Sequence, residues 1–224
     1  MDFRQKLTAF VAPMVTFMAL LLLPSVLPSI GSGFWAQQSK YWVFPLQTIV
    51  CAALLWRFWP AYDLRGPRKI WVGIGVGVVV FVLWIAPQSL LGFPARTEGF
   101  NPDLLAGQPA AYGLTVIFRF LRLVVVVPLV EEIFWRGFLL RYLINEKFDQ
   151  VPFGTFSWLS FGVVTGAFCL SHTTADWPAA AVTGALYNWV AYKTKSLSTC
   201  VITHAITNGL LGLWIMWTKQ WGFW

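Results

Sequence analysis

Charge is what this chain has least of. Only 11% of its 224 residues are Asp, Glu, Lys or Arg, under half of the roughly 25% usual in a soluble domain. So little charge cannot cover a soluble fold of this size, and the same apolar composition excludes a disordered chain. Cysteine is limited to Cys51, Cys169 and Cys200, with no CxxC pair, which excludes a disulfide framework and a zinc ribbon. HExxH is absent, and so is any glycine-rich phosphate loop following a strand. Gly73, Gly75 and Gly77 (GIGVG) lie within an apolar run and read as a surface for close helix packing.

What is abundant is apolar surface: 58% of residues are hydrophobic, 17% aromatic, and mean hydropathy is +0.65. The bilayer is therefore the expected solvent. The net charge of +7, from 16 basic against 9 acidic residues, would suggest nucleic acid in a soluble protein. Here the basic residues sit in short connections and no basic patch with interleaved aromatics occurs, so no nucleic-acid partner is expected. The 14 Trp and 6 Tyr fit interfacial belts instead.

Seven apolar runs cover residues 7–30, 42–60, 70–91, 113–143, 156–172, 178–192 and 198–217, each near the ~20 residues a bilayer requires, with the fifth and sixth short. The first follows Arg4 and Lys6, as a signal peptide would. It is too long for a typical signal core and no A-x-A-like site follows, so it reads as a first span bent by Pro13 and Pro24. The expected fold class is all-α, a polytopic transmembrane helix bundle of about seven spans, with residues 1–224 as a single membrane domain of the plasma or inner membrane. Arg4, Lys6, Arg57, Arg65, Arg68, Lys69, Arg141, Lys147, Lys193 and Lys195 collect on one side; Lys40, Arg96, Arg119, Arg122 and Lys219 on the other. That asymmetry predicts a cytoplasmic N-terminus and an external C-terminal KQWGFW. Residues 92–112 read as an external loop.

Polar residues at membrane depth cost on the order of 2.5–3.5 kcal/mol and mark function by default. Of the nine acidic residues only Glu131 and Glu132 lie deep in an apolar run, and both histidines, His172 and His204, lie in or at the edge of others. Glu132 and Arg136 are four apart with the carboxylate first, the favourable order for a helical ion pair. Glu131 is turned about 100° from Glu132 and lacks that local cation. It is the better proton acceptor and suits a general base for activating water. His204 and Asn208 also share a helix face; the pair could donate to an oxyanion, bind a metal through the imidazole, or simply join two helices. His172 closes FCLSH, where the fifth run gives way to polar TTADWP.

These residues together resemble a known family. EExxxR (Glu131, Glu132, Arg136), FxxxH (Phe168, His172) and HxxxN (His204, Asn208), in that order and inside apolar runs, look like the three motifs of the type II CAAX prenyl endopeptidases, the CPBP or ABI family of intramembrane proteases. The resemblance covers residues 113–217. The chain's length and aromatic-rich helices also resemble the prokaryotic CAAX protease-related branch associated with exosortase systems. The resemblance implies an endopeptidase that hydrolyses a membrane-embedded or membrane-associated protein or peptide. Glu131 and His172 would activate water, His204 and Asn208 would stabilise the oxyanion, and Glu132 and Arg136 would support the site. No cofactor is expected; the alternative is a zinc-dependent version with Glu131, His172 and His204 as ligands.

Other readings remain at this point. The fold could serve a non-catalytic maturation or immunity partner, or a proton-coupled transporter using Glu and His as relays, though no repeat symmetry or paired broken helices support the latter. Cys169 and Cys200 each share a face with a histidine, yet neither helix supplies a reason for thiolate formation. A geometric tension also stands. If the sixth segment crosses fully, His172 and the start of the seventh span lie on opposite faces.

Overall fold

The computed structural model describes residues 1–96 and 99–224; Thr97 and Glu98, within the expected 92–112 loop, lie outside the described residues. Among the described residues the long elements are all helices and no strand occurs. Helices stand on all seven apolar runs: α1 (Phe3–Ile30), α2 (Lys40–Ala61), α3 (Ile70–Ser89), α4 (Pro109–Tyr142), α5 (Trp158–Leu170), α6 (Trp177–Thr194) and α7 (Leu197–Thr218). Of these α1, α2, α3, α4 and α7 are long and apolar enough to cross a membrane. With 13 residues, α5 spans only about 20 Å at 1.5 Å per residue. The chain is a multi-pass membrane protein of the helical class.

Local chemistry explains the ends and bends. Asp2 and Gln5 form a reciprocal capping box at the start of α1, and Ser157 and Ser196 cap α5 and α7. The prolines Pro13, Pro24 and Pro28 all lie within α1. Pro13 has no N–H to give to the carbonyl four residues back, at Ala9. The Tyr62 hydroxyl donates to that carbonyl instead, at 2.7 Å, so the helix continues without an orphaned acceptor.

The glycines of GIGVG divide between two faces. A methyl group at Gly73 would come within 2.7 Å of Thr203 Oγ1, and one at Gly77 within 2.8 Å of the Thr203 carbonyl, whereas Gly75 faces open space. Packing of α3 on α7 therefore uses the i, i+4 pair and not the middle glycine. Gly73→Ala and Gly77→Ala are expected to destabilise by about 1–3 kcal/mol through overpacking. Gly75→Ala should be neutral or slightly stabilising. Thermal unfolding in detergent checks the contrast.

Charged groups sort to the two ends of the bundle. Lys6, Arg65, Arg68, Arg141 and Lys195 surround one recess, while Lys40 and Arg96 line another, together with Phe223 and Trp224. Two residues in the side-by-side count need correction. Arg119 and Arg122 are not connection charges, because α4 begins at Pro109 and buries both within the bundle, at 6% and 5% exposure. The count on the Lys40 side falls accordingly to Lys40, Arg96 and Lys219. The same early start means that the segment expected as loop to residue 112 already turns helical at Pro109.

Candidate active site

The site is built around α4. Glu132 and Arg136 form the expected pair, Nη1 to Oε1 at 3.0 Å, with both side chains fully buried. The other guanidinium N–H groups reach α6: Nε donates to Asn188 Oδ1 at 3.1 Å and Nη2 to the Gly184 carbonyl at 3.3 Å. Asn188 Nδ2 in turn donates to Thr165 Oγ1 on α5, at 3.1 Å. Arg136 also stacks near the rings of Phe168 and Tyr187, at 5.0 and 5.3 Å. One buried cation thus ties α4, α5 and α6 together. A charge taken out of water persists only when its donors are used, as they are here.

The second lone-pair site on Glu132 Oε1 receives α7: His204 Nδ1 lies 2.9 Å away. A carboxylate only accepts, so Nδ1 carries the hydrogen and Nε2 is turned away from Glu132. His172 is fixed by the same logic from its own helix end, since Nδ1 donates to the Phe168 carbonyl at 2.8 Å. This too leaves Nε2 as the ring nitrogen facing outward. Trp84 of α3 packs against the His172 ring at 5.6 Å.

Glu131 is set apart from Glu132, as its helical phase predicts. It lines a cavity of about 270 Å³ that is also lined by His172, His204 and Asn208. Its Oε2 is buried with no hydrogen-bond partner among the described residues. All four residues expected to carry the chemistry therefore line one cavity, and Glu132, hydrogen-bonded to His204, lies outside that lining with Arg136.

The tension over membrane faces resolves through the shortness of α5. His172 follows directly on this helix of 13 residues, one turn beyond Phe168. Phe168 packs on Tyr187 at 6.4 Å, and Tyr187 on His204 at 5.2 Å. A single aromatic layer thus links the end of α5, the middle of α6 and the second turn of α7.

Asn208 is engaged in a way that spacing alone did not reveal. Its Nδ2 donates to the Leu123 carbonyl at 2.8 Å. That carbonyl is free because α4 widens to a π-helix over Leu121–Val126, in which Val127 N–H bonds to the Arg122 carbonyl. The next donor in line is Pro128, which has none. One amide hydrogen of Asn208 is thereby spent on helix joining, and the second remains for the cavity that Asn208 lines.

Among the described residues no three His, Cys, Asp or Glu side chains gather closely enough to hold a metal ion. Glu131, His172 and His204 thus share a cavity without forming a three-ligand set. Cys200 is buried and Cys169 Sγ sits 3.2 Å from the Trp177 carbonyl. Neither thiol lines the cavity.

Sequence reasoning missed Arg119, Arg122, Trp84 and Tyr187, which line the same cavity. The signal for the arginines was present: two cations three apart in an apolar helix are as costly as the glutamates. Placing the helix start at 113 rather than Pro109 made them look like end charges.

Residues 113–210 match a family model described as type II CAAX prenyl endopeptidase Rce1-like. This segment is similar to the Rce1-like family. The family found is the one that the three motifs resemble, and the match covers somewhat less than half of the chain, including every residue of the motifs. No curated protein matches the chain, and no solved structure does. The Rce1-like segment begins within α4 and ends within α7, so it supplies Glu131, His172, His204 and Asn208, while α1 and α3 complete the cavity lining with residues such as Phe17 and Trp84. A CAAX-type endopeptidase acting in the membrane is the activity this family supports.

Proposed function

We propose that the cavity hydrolyses a peptide bond of a membrane-embedded or membrane-associated protein, with Glu131 as general base. The observation that carries this reading is the unpartnered, buried Glu131 Oε2 in a cavity on which two histidines with defined tautomers border. Water oxygen attacks the carbonyl carbon as its proton passes to Glu131, with His172 Nε2 orienting the water. The carbonyl electron pair moves to oxygen, where His204 and Asn208 donate to it. Donation from His204 Nε2 requires the doubly protonated ring, whose charge faces Glu132. On collapse the C–N bond breaks, and Glu131 returns its proton to the leaving nitrogen.

Asn208→Ala is expected to lower kcat by about 10²–10³ with little change in KM. It should also reduce thermal stability, because the Leu123 carbonyl loses its donor, worth about 1–3 kcal/mol when buried. Loss of stability with unchanged turnover per folded molecule would assign Asn208 to helix joining alone. His204→Ala should share the loss in kcat, and the double variant should lose less than the product of the singles, since both serve one transition state.

The reading uses no metal. Purified protein reconstituted in vesicles should cleave a membrane-anchored peptide substrate, hold substoichiometric zinc, and keep its activity after prolonged chelation. Stoichiometric zinc that is lost and regained together with activity would assign Glu131, His172 and His204 as ligands instead. The proposed setting is the plasma or inner membrane with the N-terminus cytoplasmic.

A further inference from the structure

The mechanism leaves two buried cations unused. Arg119 and Arg122, three apart on α4, both line the cavity that holds Glu131 and also the larger recess of about 1050 Å³ that adjoins it. Both stand over the Phe44 ring, at 5.0 and 4.6 Å from its centre. Arg122 spends Nε on Gln47 Oε1 at 2.6 Å. Arg119 is 6% exposed and caged by Phe44, Phe100 and Trp224, and its Nε and Nη1 have no hydrogen-bond partner. Among the described residues neither arginine has a carboxylate within ion-pair distance, and the attraction of Glu131 for Arg122 acts over a longer range. Asp176, which lines both spaces, is paired with Arg96.

An aromatic cage offsets only part of the desolvation of a guanidinium, and its in-plane N–H groups still require acceptors. Nε and Nη1 each share an edge of the guanidinium with Nη2, and such an edge matches a carboxylate bidentately. We infer that Arg119, with Arg122 beside it, is a positioning site for a carboxylate on the peptide substrate, holding the chain so that a nearby bond meets Glu131. The inference rests on the endopeptidase reading and specifies its substrate class: peptides that carry an acid close to the bond cut. The recess and the catalytic cavity share these two residues, so a bound carboxylate lies on the way to the base. That continuity favours the substrate over a lipid headgroup as the source of the anion.

The test uses one apolar fluorescent peptide as matched pairs, with a free or amidated C-terminus and with Asp or Asn at one internal position. Binding is measured to the full-length Glu131→Gln variant in nanodiscs, and cleavage with the wild type. A carboxylate twin should bind about ten- to hundredfold more tightly than its neutral partner, as a charge-assisted bond in a dry site provides. Which pair shows the difference tells a chain end from a side chain. Arg119→Gln should erase that difference, and Arg119→Lys, which keeps charge but not the fork, should retain part of it. The twin comparison stands even if an arginine variant misfolds. Equal binding of all twins overturns this inference while cleavage by the wild type keeps the protease reading; selective binding without cleavage does the reverse. If phosphatidylglycerol instead stabilises the wild type and not Arg119→Gln, with the twins bound alike, the anion is a lipid phosphate and the inference is wrong.

Discussion

Glu131→Gln is expected to reduce cleavage of a verified substrate by about 10²–10⁴-fold, the contribution typical of a positioned general base, with a nearly unchanged melting temperature. The second half of that expectation follows from the structure. Glu131 Oε2 accepts no hydrogen bond, and the charge coupling of Glu131 to Arg122 is a longer-range attraction without an ion-pair contact among the described residues, so replacing it with a neutral isostere removes little native stabilisation. A residue whose loss costs activity and nothing else is the signature of chemistry rather than architecture. Kinetics and thermal unfolding of the same purified preparation make the comparison. If turnover persists, Glu131 is not the base.

Arg136→Met should show the opposite pattern, losing folded protein first. Removing the guanidinium leaves Glu132 without its cation and with only His204 as a donor, and strands the Asn188 carbonyl oxygen and the Gly184 carbonyl in a buried setting. Breaking a buried pair from one side costs about 3–5 kcal/mol, a large share of the stability of a typical domain. The double variant Glu132→Gln/Arg136→Met removes both charges and should recover part of that loss, because partners in one network are not additive. It should remain poorly active, since His204 Nδ1 then faces an uncharged amide. Yield of monodisperse protein and melting temperature report the first effect, and kcat the second. A double variant as unstable as the sum of the singles would argue against a coupled network.

The residues of the cavity were legible to different degrees for physical reasons. Helical phase separates Glu131 from Glu132 and joins Glu132 to Arg136, because i, i+4 geometry is local and needs no tertiary information. Seven apolar runs likewise give seven helices, since in lipid a segment has no other way to satisfy its backbone. Asn188 and Thr165 were not legible: each is an ordinary polar residue of a helix until Arg136 reaches it from another. The Leu123 carbonyl was readable only in retrospect, through the combination of Pro128 and a π-turn. Arg119 and Arg122 turned on four residues of helix boundary, the least certain feature of any apolar run. How His172 and His204 meet depended on the length of α5, which apolarity blurs by including residues 156, 157, 171 and 172 in the run.

A non-catalytic partner and a proton-coupled transporter would both retain the Glu132–Arg136–Asn188 core, because that core is architecture. A non-catalytic partner would have no use for an isolated Glu131 beside a cavity, and a transporter would use it as a relay without cutting peptide. The most direct measurement is therefore a comparison of membrane-protein termini, by mass spectrometry, in cells expressing wild type or Glu131→Gln at equal abundance. The account predicts a set of new termini present with the wild type and missing with Glu131→Gln; identical termini in the two, with both proteins folded and in the membrane, would contradict it.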